Sequence, residues 1–106
     1  MPKYLVEARY TTQGAKGLAR EGGSGRRAAI AKTVESAGGK LETVYFAFGD
    51  VDVYIIVDLP DNVSAAAASL AANQTGFLAS KTIVLLTAEE MDQATKRKID
   101  FRPPGQ

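Results

Sequence analysis

The chain contains no cysteine and no histidine among its 106 residues. Without a thiol there is no disulfide, no thiolate metal site and no cysteine nucleophile. Without imidazole, the commonest general base and the commonest transition-metal ligand are missing. Any chemistry falls to Asp, Glu, Lys, Arg, Tyr, Ser and Thr. A hard-cation site built from carboxylates has no motif behind it, so neither a metal nor another cofactor is expected. Charge of one sign is scarce as well: 13 Lys and Arg against 12 Asp and Glu leave a net charge of +1. Bulk charge therefore gives no support to nucleic-acid binding, and no such partner is expected. No apolar run approaches the ~20 residues that span a bilayer. The N-terminus lacks a basic region followed by an apolar segment. A cytoplasmic location with no membrane partner is expected.

What is present suits one domain over residues 1–106. Tyr4 to Tyr10 alternates, with Tyr4, Val6, Ala8 and Tyr10 on one side and Leu5, Glu7 and Arg9 on the other, which reads as a strand. Thr11 to Gly25 carries five glycines and reads as a long connection with a helical turn around Ala15 to Arg20. Ser24 suits the N-cap of a following helix, whose Ile30, Val34 and Ala37 make a narrow buried stripe and which Gly38-Gly39 ends. Leu41 to Phe48 and Val51 to Leu59 are aromatic and β-branched runs joined at Gly49-Asp50, the pattern of a β-hairpin. Pro60-Asp61-Asn62 turns the chain and caps an alanine-dominated helix that Gly76 stops. Thr82 to Thr87 reads as a fourth strand, apolar on both faces. Thr87 and Glu90 then have the spacing of a capping box for a short terminal helix reaching about Lys98.

This order is two consecutive β-α-β units. It implies an α+β, ferredoxin-like βαββαβ fold with a four-stranded antiparallel sheet, both main helices on one face and a short C-terminal helix. The uncovered face would carry Leu5, Tyr54 and Ile56, too apolar for full solvation, so a homo-oligomer or a ligand cavity is expected there.

Two constellations carry chemistry. In Gly22-Gly23-Ser24-Gly25-Arg26-Arg27, a helix start, small residues and two guanidiniums suit an anion, with Ser24, Gly25, Arg26 and Arg27 as its ligands. Cations in a first helical turn are disfavoured by roughly 0.3–1 kcal/mol each, so something acidic must compensate; Glu21 or a carboxylate of another subunit is the structural alternative to a bound anion. The run lacks the Lys-Ser/Thr ending of a Walker motif. Asp50 and Asp52 share a strand face, where paired carboxylates do acid/base work, although turn chemistry also explains Asp50. The four tyrosines suit core or interface positions, and Lys96-Arg97-Lys98 a solvated face.

Gly49-Asp50-Val51-Asp52 within the central hairpin resembles the signature of the GYD-domain proteins. The likeness extends to Gly22 to Arg27, Phe46 to Asp50, Pro60-Asp61-Asn62 and Leu86 to Glu90. Val51 stands where the family has its name-giving tyrosine. The resemblance implies a small bacterial or archaeal protein without an assigned activity, related to the dimeric α/β barrels. The function expected is an oligomeric module that binds a small anionic or apolar ligand or another protein. The alternative is a cofactor-independent enzyme, monooxygenase- or isomerase-like, acting on a small apolar substrate. Asp52, Tyr54 and Arg9 would then be the polar, catalytic groups of its cavity.

Overall fold

The computed structural model describes residues 1–106. Its elements run β1 (Lys3–Tyr10), α1 (Thr12–Ser36), β2 (Lys40–Phe46), β3 (Val53–Asp58), α2 (Asn62–Asn73), β4 (Leu78–Leu85) and α3 (Ala88–Thr95). The sheet order is β2-β3-β1-β4 and every neighbouring pair is antiparallel, the ferredoxin-like arrangement. Tyr4, Ala8, Val53, Ile55 and Val57 point from the two central strands to one face, where Val34 of α1 and Ala65 of α2 meet them. Tyr4, 1% exposed, keeps its hydroxyl satisfied by donating to Asn62 Oδ1 at 2.6 Å.

The caps follow the residue chemistry. Asp61 accepts from Ser64 N at 2.8 Å at the start of α2. Thr87 and Glu90 form both bonds of the capping box at 2.8 and 3.1 Å. At the end of α1, Gly39 N reaches Val34 O and Gly38 N reaches Glu35 O, with Gly38 at φ 86°. Only glycine takes that conformation at little cost, which is why the helix stops there.

Three boundaries depart from the sequence pattern. The glycine-rich connection is helical: α1 begins at Thr12, capped by the Thr11 side chain, and is broken only at Gly22 (φ 77°, ψ 169°). Ser24 is therefore inside a helical stretch and is not its opening cap. The β2–β3 connection is a six-residue loop, 47–52, closed by Ala47 N to Asp52 O at 2.8 Å, so Gly49-Asp50 is its tip and not a two-residue turn. Finally, β4 begins at Leu78, because Phe77 O accepts from Thr11 N and draws the chain onto β1 four residues before the apolar run.

The two layers leave much surface open. The face away from α1 and α2 carries the cross-strand row Thr43–Ile56–Leu5–Ile83 and beside it Tyr45–Tyr54–Glu7–Lys81. Every residue from Leu86 to Gln106 is exposed, α3 included.

Candidate functional site

A cavity of about 470 Å³ lies between the helices and the sheet. Its floor is the helix-side row of three strands: Val6, Ala8 and Tyr10 of β1, Val53, Ile55 and Val57 of β3, and Leu78, Ser80 and Thr82 of β4. Its walls are Ile30, Thr33 and Val34 of α1 and Ala65, Ala68, Ser69 and Ala72 of α2. α1 packs on β2 and β1 while α2 packs on β4, so the helices straddle the sheet with a cleft between them. The cleft stays open because α2 offers alanine and β4 offers Ser80 and Thr82, side chains too short to meet across it. Interiors are otherwise close-packed.

Arg26 is the single charged residue in this lining. It also borders a second cavity of about 350 Å³, bounded by Gly14, Gly17, Leu18, Arg20 and Glu21 of α1. Tyr10, Arg26, Phe77 and Leu78 belong to both linings and form the shared wall. Glu21 Oε1 lies 3.2 Å from Arg26 Nε, across the break at Gly22. That nitrogen is buried and its N–H is not aligned on any acceptor, so the contact is an ion pair without a hydrogen bond. Tyr10 is half-buried beside this pair. Burial pushes its phenol above the ordinary value; the Arg26 charge opposes that shift, while Glu21 and Asp52 reinforce it.

Of the four residues expected around an anion, Arg26 alone borders a cavity; Ser24, Gly25 and Arg27 are exposed and line neither cavity. The acidic compensation for Arg26 is present as Glu21. The other candidates, Asp52, Tyr54 and Arg9, are not brought together in a cavity. Asp52 accepts from Tyr10 N at 2.8 Å and so ties the β2–β3 loop to the end of β1. Tyr54 sits on the open face opposite Glu7, and Arg9 is exposed opposite Ala79. The residue that sequence reasoning passed over is Tyr10, whose alternation with Ala8 and Val6 already placed it on the helix side. Also overlooked was the match between an alanine helix and the short side chains of Ser80 and Thr82, because the start of β4 was hidden in a polar stretch. No group of acidic residues is arranged to hold a metal ion, and no helix is long and apolar enough to cross a membrane.

The GYD domain family matches residues 4–95, nearly the whole ordered core, and the chain belongs to that family. No match is found among curated proteins.

Proposed function

We propose that this GYD domain is an oligomeric module that holds a small, mainly apolar ligand in the cleft between its helices and its sheet. The cavity carries the reading. About 470 Å³ falls in the range of ligand sites, roughly 300–1,000 Å³, and the lining is apolar with a few polar groups, as such sites are. The core is correspondingly thin, with eight hydrophobic residues buried. A ligand in the cleft would complete it.

Assembly is the second half of the reading. A folded monomer of 11.2 kDa is expected to expose about 5,700 Å², against 7665 Å² here. Its radius of gyration, 16.7 Å, compares with about 13 Å for a compact domain of this length. The surplus, roughly 2,000 Å², exceeds the ~800 Å² that each partner buries in a standard interface. The open sheet face, with Tyr45, Tyr54 and Ile83 exposed, and α3 with its tail contribute to it. An eight-residue helix is too short to persist unsupported in water. A second copy of this chain is the occupant that both surfaces fit.

The test is the protein taken directly from cells, with small molecules extracted and identified by mass spectrometry, beside Ala72→Phe, which fills the cleft. The expected result is a stoichiometric apolar compound in the parent and its loss in the variant, with the circular dichroism spectrum unchanged. Equal recovery from both proteins would refute the cleft as the site.

A further inference from the structure

Resting on the reading of the cleft as a ligand site, we propose that its ligand is an apolar carboxylic acid, bound as the carboxylate with its charged end on Arg26 and its hydrocarbon body over Ile30, Val6 and Ala72.

The argument starts from the composition of the lining. A neutral apolar ligand needs no charge in its cavity, yet Arg26 is among the residues that border this one. Arginine is the side chain that matches a carboxylate, through parallel N–H donors in a planar fork. Glu21 leaves most of that fork free. It approaches Nε alone, at 3.2 Å and without an aligned hydrogen bond, and Arg26 makes no other ion pair. Nε itself is enclosed beside Glu21, so the donors left for a ligand carboxylate are those of the two Nη groups.

Tyr10 adds a second donor. Its hydroxyl has no hydrogen-bond partner within the chain, and it shares with Arg26 the wall between the two cavities. The phenol is in its neutral, donating form at neutral pH, and burial shifts its pKa further upward. The charge count then limits the ligand to one negative charge. Arg26 is the one cation of the larger cavity, and Glu21 sits close enough to repel a dianion such as phosphate. The remaining polar groups in the lining are hydroxyls, such as Thr33, Ser80 and Thr82. They tolerate a substituent on the ligand body and impose no second charge.

The experiment compares acids with their amides, which have the same body and no charge: octanoate with octanamide, and 2-naphthoate with 2-naphthamide. Binding is measured by calorimetry to the full chain, to Arg26→Met, which keeps an apolar stem in place of the charged head, and to Lys32→Met, which removes an exposed positive charge outside both linings. The expected result is that at least one acid binds the parent tenfold or more tightly than its amide. Arg26→Met should erase that preference with amide affinity unchanged, and Lys32→Met should keep it. Glu21→Gln should tighten the acid alone. Equal binding of acid and amide to the parent would overturn the carboxylate assignment and leave the cleft as an apolar site. That comparison needs no variant to fold. Binding of neither would overturn the cleft reading and this assignment together.

Discussion

Gly14 lies directly against the backbone carbonyl of Phe77, where a Cβ would overlap the oxygen. The contact lets the first turn of α1 approach the start of β4, and Thr11 secures it by donating from N to Phe77 O at 3.0 Å. One turn further on, Gly17 has nothing within 4 Å of its missing Cβ. The two glycines should therefore answer opposite ways to the same substitution. Gly17→Ala should stabilise the protein by about 0.5–1 kcal/mol, because alanine is the better helix former and no neighbour must move. Gly14→Ala should destabilise by about 1–3 kcal/mol, as overpacking against an immobile backbone does. Urea melts of the two variants decide; stabilisation by both would refute the close approach.

The same pair shows where the sequence is readable and where it is not. Alternation in β1, the stripe of Ile30 and Val34, the Asp61 cap and the Thr87–Glu90 box are local patterns, and each appears in the structure as its residues dictate. Gly14, Gly17 and Gly23 carry no such signal. Their intrinsic preference is against helix by about 1 kcal/mol each, and the first half of α1 persists through Thr11 and its fit on Phe77, contacts some 65 residues apart in the chain. The cavity is illegible for a related reason. It is made by what α2 and β4 fail to fill, and a void depends on how two distant elements face each other. The sequence marks Arg26 as a candidate anion ligand, but not that it borders a cavity, which depends on how α1, broken at Gly22, lies on the sheet.

Lys3 bridges two strands on the open face, with Nζ 2.6 Å from Glu42 Oε1 and 2.9 Å from Asp58 Oδ1. The hydrogen bond to Glu42, then that to Asp58, raises its pKa above the ordinary 10.5. A raised pKa means that folding favours the ammonium. The stabilisation is full below 10.5, the unfolded value, and is lost as pH rises through the folded value. The difference in melting temperature between the parent and Lys3→Met should thus be constant near neutrality and narrow above pH 10.5. Other alkaline effects cancel in the comparison. A difference that stays constant through that range would show that the bridge contributes nothing.

The open face gives the sharpest test of assembly. Ile56 of β3, Leu5 of β1 and Ile83 of β4 stand side by side across three strands. An ammonium placed in that row must be desolvated if a second copy covers it, and it finds no carboxylate directly opposite. Ile83→Lys has a further disadvantage, since Lys81 lies two residues away on the same face. Tyr54→Lys should be milder, because Glu7 is its cross-strand neighbour and opposite charges there attract. Leu70→Lys is the control: Leu70 is exposed on α2, on the other layer, and lines neither cavity. Sedimentation at micromolar concentration should find the parent and Leu70→Lys assembled, Tyr54→Lys partly dissociated, and Ile83→Lys largely at 11.2 kDa. A parent that sediments as a monomer refutes assembly outright. Dissociation by Leu70→Lys with Ile83→Lys still assembled moves the interface from the sheet face to the helix layer.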